Sequence, residues 1–440
     1  MPPRIALVLT QAAAACTVLF AAGAAPAQSL ESLYDAARAY DANYLAARAQ
    51  AESAIYRDEQ TKALRRPNVS LAGNATRSNT DTPIGRFNNT NTGAQVAGSQ
   101  PLYNRANSAT IDQSERSLAI SLADLEAAEQ DLIIRLAQAY FDVLGAQDTL
   151  ATTRGNKAAI AEQLASAKRN FEVGTATITD TREAQARFDL ATAQEIAAEN
   201  DLRNKRNALD TLVGRSGVEP LALKLPAALP SVSPDRADTW VDLATNAPNV
   251  RRAQLAFEIA QLETTKARAG HLPTVALVGS VGSSHNSEST GASLAGTTKS
   301  AQVGVQLNLP LFAGFAVQNR VKETLALEER SRNDLEAARR GVALATRQAF
   351  SSVQSGEASV RALEAAEASN KLALEAIQLG YRVGVRVNLD VLNAQSQLFA
   401  TQRDLAKARY DLLVGNLRLR QAAGVLKPAD VSATSRIVAP

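Results

Sequence analysis

Two histidines, His271 and His285, one cysteine, Cys16, and one tryptophan, Trp240, are the residues of this 440-residue chain on which metal or thiol chemistry could be built. Neither histidine has a second histidine or a cysteine at the spacing of a zinc site. His271 stands just before Leu272-Pro273, and His285 lies in a Ser/Thr/Gly-rich stretch that reads as a loop. Trp240 heads a predicted helix, where an indole is expected as core. There is no Gly-rich phosphate loop and no nucleophile elbow. These residues read as a chain without a catalytic centre, metal site or cofactor. The remaining polar chemistry is that of paired charges: 47 Lys and Arg face 44 Asp and Glu, for a net charge of +3. So even a balance gives no electrostatic footprint for nucleic acid.

The elements that position those charges come in duplicate. Phe171-Glu-Val-Gly174, continuing to Asp180 and Ala184-Gln185, is echoed by Tyr381-Arg-Val-Gly384, continuing to Asp390 and Ala394-Gln395, at a constant offset of 210 residues. Ala139-Tyr140 answers Ala349-Phe350, and Gly214 answers Gly424, at the same offset. Two copies this long are not the short units of a solenoid. They predict a two-fold internal repeat, with a first copy over 28–214 and a second over 237–426. The segment 215–236, with Pro220, Pro226, Pro230 and Pro234, reads as a linker, and 427–440 as a partly ordered tail. Residues 1–27 read as a cleaved secretory signal: Arg4, an apolar run from Ile5 to Ala22, and Ala25-Pro26-Ala27 before Gln28. Its removal would leave a net charge of +2 and no cysteine. Lipidation at Cys16 is disfavoured, because the apolar run continues past it.

Each copy is dominated by helix. From Ile111 through Leu118, Leu125 and Leu132 to Ile160 and Ala167, apolar residues recur every seven positions. A second row runs from Leu122 through Leu136, Val143 and Leu150 to Phe171. A 3.5-residue period held so long implies coiled-coil-like packing. A helix from about Asn104 to Val173 would be on the order of 105 Å long at 1.5 Å per residue. Glu129 and Lys157 stand within the second row, so a simple two-stranded rod is not expected. Return helices are predicted from about Thr177 to Val213 and from Asn388 to Ala423, each after a glycine (Gly174, Gly384) at the cap position.

Between the helices lie β-like segments. Ala301 to Leu309 alternates Ala301, Val303, Val305, Leu307 and Leu309 with Gln302, Gly304, Gln306 and Asn308. This is the length and pattern of a transmembrane barrel strand. Val275 to Ser283 is its mate across a loop from Ser284 to Lys299. The first copy offers Val69 to Arg77 and Ala94 to Leu102, joined by a loop from Asn79 to Thr92, with weaker alternation. The hairpins thus occupy 68–102 and 273–310, with Pro67, Pro101, Pro273 and Pro310 at the four helix–strand junctions. Four strands cannot close a barrel, and an open edge in lipid leaves backbone groups unsatisfied, so several chains must pool strands. The soluble alternative is a small sandwich on a helical stalk.

These segments together resemble the TolC family of outer-membrane efflux and export channels. The resemblance is carried by Gly270-His-Leu-Pro273, Leu309-Pro-Leu-Phe-Ala-Gly314, Ala139-Tyr-Phe-Asp-Val-Leu144, Phe171 to Asp180, and Gly380 to Leu392, and it covers residues 29–428. It implies an α+β membrane protein in which a long α-helical coiled-coil barrel joins a transmembrane β-barrel of four strands per chain. It further implies a homotrimer in outer-membrane lipid, extending into the periplasm of a Gram-negative bacterium. An inner-membrane pump of the RND, ABC or MFS type would drive export through a periplasmic adaptor protein.

The resemblance also assigns residues. Thr179, Asp180, Tyr381 and Arg386 match a periplasmic gate, in which Arg386 can fork to the Asp180 carboxylate and Tyr381 offers a hydroxyl. Asp180 would equally serve as an acidic first-turn residue. Asp390 and Asn393 match the two acidic positions of a pore constriction, with Asn393 departing from the family pattern. Gly174, Thr175, Gly384 and Val385 match the adaptor-docking turns. Two other functions are weighed. A diffusion porin would need many strands in one chain, and a periplasmic adaptor would not carry duplicated apolar/polar hairpins between prolines.

Overall fold

A computed structural model describes residues 28–83, 85–223, 231–288 and 295–438. The expected signal segment 1–27 lies outside these residues, as do parts of the linker and of the second hairpin loop. The described residues fall into two compact units: those through Ala46, Ala127–Ala247 and those from Val342 onward form one, and Ala47–Glu126 with Pro248–Gly341 form the other.

In the first unit, helix α1 (Leu30–Tyr40) begins at Ser29, whose side chain accepts from the Ser32 N–H. It buries Leu30, Leu33, Tyr34 and Ala37, an i, i+3, i+4, i+7 stripe. The chain breaks at Asp41 and continues as α2 (Ala42–Lys62). Asp41 is buried; it accepts from the Tyr44 N–H at 2.8 Å and from both terminal nitrogens of Arg135 at 2.8 and 3.0 Å. That bidentate bond holds the Asp41 carboxyl below the usual carboxylate range, against the opposing effect of burial.

Arg135 lies on α3 (Arg105–Glu172), a single helix of 68 residues. Asn104 starts it, accepting from the Asn107 N–H at 3.0 Å. The predicted seven-residue rows are the buried ones through its middle: Leu132, Leu136, Val143, Ala146, Leu150, Ile160, Leu164 and Ala167. The charges in that seam are paired with other elements. Glu129 accepts from the Tyr34 hydroxyl at 2.9 Å and approaches Arg38 at 3.3 Å. Lys157 binds Glu195 at 2.8 Å on helix α4 (Ile178–Val213). Tyr140 and Phe141 meet edge to face, and Phe141 stacks on Tyr410 of helix α8 (Asn388–Ala422). The Tyr410 hydroxyl donates to Asp148 at 2.6 Å; burial, and then that bond, push its pKa up.

Trp240, on α5 (Ala237–Leu243), is core as expected, packed with Phe350, Val353, Leu412 and Leu419, and its indole N–H donates to the Pro234 carbonyl at 2.9 Å. The second unit adds α6 (Pro248–Arg268) and the first turns of α7 (Ala316–Arg382). The tail is more ordered than expected. Pro428–Val438 forms α9, which buries Val431, donates from Ser432 to Glu31 at 2.7 Å and pairs Asp430 with Arg420 at 2.7 Å.

The second unit carries one antiparallel sheet in the order β1-β2-β3-β4, with β1 Asn68–Thr82, β2 Gly85–Tyr103, β3 Thr274–Asn286 and β4 Gly296–Asn308. Both hairpins are longer than the alternation predicts. Most of the expected 79–92 loop is strand, and the second loop is shorter than 284–299. Polar cross-strand bonds replace apolar packing there: Asn74 donates to Asn91 at 2.7 Å, and Asn91 to Asn286 at 2.7 Å. Pro101 is not at a junction but inside β2, where the register with β3 shifts between Pro101 and Tyr103. A ladder irregularity is where a residue without an N–H is tolerated. Leu309 lies past the end of β4.

The register aligns one apolar row across all four strands. Leu71 faces Val96, Val96 faces Val281, and Val281 faces Ala301; Leu277 faces Val305, and Val275 faces Leu307. This face is exposed, with Leu71 at 75% and Val303 at 81% of full accessibility.

Candidate functional site: the two helix turns of the first unit

The α3–α4 turn closes on glycine. Gly174 has φ of 77°, and the Thr175 N–H donates back to the Asn170 carbonyl at 2.8 Å. The α7–α8 turn repeats this with Gly384 at φ 82° and Val385 N–H to Gly380 at 2.9 Å. Both glycines take the left-handed conformation that ends a helix with a six-to-one bond, at little steric cost.

Beyond the turns the copies diverge. Thr177 caps α4 in a reciprocal box: its hydroxyl oxygen accepts from the Asp180 N–H at 3.2 Å. The Asp180 carboxylate accepts from the Thr177 N–H at 2.9 Å and the Thr177 hydroxyl at 2.8 Å. In the second copy the capping position is Val387, which has no side-chain acceptor. Asp390, the counterpart of Asp180, instead meets Arg386 at 3.5 Å.

The expected gate residues therefore do not converge within one chain. Asp180 is engaged by its own cap, Arg386 by Asp390, and Thr179 is exposed. Tyr381 has a different partner, accepting from the Asn170 amide at 3.4 Å, which links α7 to α3. Asn393 is also engaged: its carbonyl oxygen accepts from Arg187 Nη2 of α4 at 3.0 Å. Beneath these links Ile160, Leu164 and Ala167 of α3 pack with Ala184 and Ala191 of α4 and Leu392 of α8. At the tips Val173, Val383 and Val385 are exposed.

Arg187 and Asn170 are absent from the sequence-based expectations. Arg187 follows Asp180 by seven residues, two helical turns on the same face. Asn170 left no such signal, since an amide before Phe171 is unremarkable until the turn brings Tyr381 beside it. The arrangement holds no group poised for bond-breaking. It is a set of polar links among four helix ends, suited to holding or releasing them.

The chain as a whole is similar to known proteins. The chain is 31% identical over 407 residues to the outer membrane protein TolC of Vibrio cholerae, covering 92% of each chain. It is 33% identical to the alkaline protease secretion protein AprF of Pseudomonas aeruginosa, over 76% of this chain and 69% of that protein. Among solved structures, the outer membrane protein VceC of Vibrio cholerae superposes with a TM-score of 0.77 at 20% identity, over 90% of this chain and 96% of that one. The open state of the Neisseria gonorrhoeae MtrE outer membrane channel gives 0.73 at 20% identity, over 91% and 90%. The family described as outer membrane efflux protein is matched over residues 33–215 and 240–425. The chain belongs to the outer membrane efflux protein family of channels, and its place is the outer membrane, extending into the periplasm.

Proposed function

We propose that three copies of this chain assemble into one outer-membrane export duct, each contributing β1–β4 to a twelve-stranded barrel. The observation that carries this is the sheet. Its apolar row is exposed on all four strands, and β1 and β4 stand at its outer ends. In lipid such outer strands need partners for their backbone groups. Strands of 13 to 19 residues exceed the 9–11 that cross a hydrocarbon core, leaving length to extend beyond it. On this reading residues 1–27 direct secretion and are removed. The segments 28–214 and 237–426 are two copies of one unit, which agrees with the two ranges over which the family is matched. The helices then form the periplasmic conduit.

The turns are the docking end. Gly174, Thr175, Gly384 and Val385 present small and exposed apolar groups to a periplasmic adaptor, behind which an inner-membrane pump of the RND, ABC or MFS type supplies the energy. Thr179, Asp180, Tyr381 and Arg386 act as a gate between neighbouring chains, and Asp390 with Asn393 lines the constriction. Relatives named for protease secretion and for efflux support both drugs and type I secreted proteins as cargo. Mass measurement of the protein in detergent tests the assembly. A trimer is expected without any disulfide, and a monomer with a closed pore would overturn the pooled barrel. Deleting the gene product should raise drug susceptibility or abolish secretion of a protease, and whichever phenotype appears identifies the cargo.

A further inference from the structure

We infer that Arg77 of one chain and Lys299 of its neighbour form, at each seam of the barrel, a site for a phosphorylated lipid of the outer leaflet. The inference rests on the pooled barrel proposed above, in which β4 of one copy pairs antiparallel with β1 of the next. The charged side chains of the four strands are Arg77, Asp81, Arg86 and Lys299. The unbroken registers of β1 with β2 and of β3 with β4 put all of them on the face of the apolar row and leave the opposite face without charge. Asp81 and Arg86 pair with each other at 3.0 Å at the first hairpin tip. Arg77 and Lys299 are exposed and have no ion-pair partner among the described residues. Glu288, the other acid of the hairpins, lies past the end of β3. It is five residues beyond Ser283, which faces Lys299, or roughly 16 Å at the rise of a strand. His285, on the same face, meets Thr297 at 3.1 Å.

Both unpaired cations stand on edge strands, at matching places. From the helix junction toward the tip, that face of β1 shows Val69, Leu71, Gly73 and Ala75 before Arg77. The same face of β4 shows Leu307, Val305, Val303 and Ala301 before Lys299. Each run spans about 26 Å of strand, or roughly 20 Å of height at the tilt of a membrane barrel. Each cation therefore borders the apolar band on its hairpin-tip side, where a long side chain reaches the headgroups. With the helices in the periplasm, that side is the outer leaflet. Like charges on neighbouring strands repel. A phosphate between them replaces the repulsion with two charge-assisted contacts, a fork from Arg77 and a point charge from Lys299.

The test is native mass spectrometry of the full-length protein in detergent, with diphosphoryl lipid A as the probe. Wild type should run as a trimer and take up one lipid per seam. R77Q and K299Q should each weaken that binding about fivefold, and the double variant roughly 25-fold, with trimer mass unchanged. R77K, which keeps the charge, should lose less than R77Q. Zwitterionic phosphatidylethanolamine should bind wild type and the double variant equally weakly. Inorganic phosphate at the concentration of the lipid should not displace it; displacement would show a site for bare phosphate and overturn the lipid as its ligand. Trimers of wild type, R77Q and K299Q that bind lipid A alike would overturn the site and leave the barrel standing. A wild-type monomer would overturn the barrel, and the site with it. Should the double variant fail to assemble, the single variants decide the matter.

Discussion

Asp41 shows how one side chain can hold together three segments that are distant in sequence. It breaks the chain between α1 and α2, caps the second helix through the Tyr44 N–H, and takes both terminal nitrogens of Arg135. Its carboxyl is held below the ordinary range, so its contribution is present above an unfolded pKa near 3.9 and is lost as pH falls through the lower folded value. D41N should cost about 1–3 kcal/mol near neutral pH, because it leaves a partly buried guanidinium underpaired. It should also flatten the acid limb of the stability curve below about pH 4, which thermal melts across a pH series would show. Wild-type and D41N curves that stay parallel through the acid range would mean the pair carries no such linkage. The aspartate was not legible in the sequence. Nothing in Tyr40-Asp41-Ala42 announces a helix break, and Arg135 is 94 residues away. By contrast, the tip glycines and Asp180 were readable, because cap chemistry is local.

At the scale of the element, the strands divide by how they are held. β4 was legible because its apolar residues alternate strictly and pair with those of β3: Val305 with Leu277, Leu307 with Val275. The outer halves of β1 and β2 were not, because Asn74, Asn91 and Asn286 are joined by amide hydrogen bonds that a hydrophobic period cannot register. The long helices were legible from their seven-residue rows, while Glu129 and Lys157 became intelligible only with Tyr34, Arg38 and Glu195 beside them. The register makes a sharp claim about faces. V305R should impair assembly by about 2–4 kcal/mol if that position meets the bilayer midplane, while Q306R on the opposite face should be tolerated. Heat-modifiable mobility of the two variants in outer-membrane fractions would separate them, and equal assembly would put the lipid face elsewhere.

For the whole molecule, opening is a matter of populations. Within a chain, Tyr381 is tied to Asn170 and Arg386 to Asp390; between chains, Arg386 and Asp180 are proposed to meet. Each exposed link is worth under about 1 kcal/mol. In a three-fold assembly each loss is repeated three times on a concerted change, so small terms become a visible shift. Y381F combined with R386S should therefore raise single-channel conductance or open time in bilayers, with trimer mass unchanged. Either change alone should do less than the pair. An unaltered conductance in the double variant would remove these residues from the gate.

The capping difference between the two return helices carries over into time. The first amides of α4 are covered by the Thr177–Asp180 box, whereas those of α8 begin at Val387 without a side-chain acceptor. A missing cap of this kind is worth roughly 0.5–2 kcal/mol, so the first turn of α8 should exchange its amide hydrogens about two- to thirtyfold faster than that of α4. The two halves of the chain would then differ in which yields first. A threonine in place of Val387 would draw the Asp390 carboxylate into a cap and away from Arg386, slowing exchange in α8 while freeing the guanidinium.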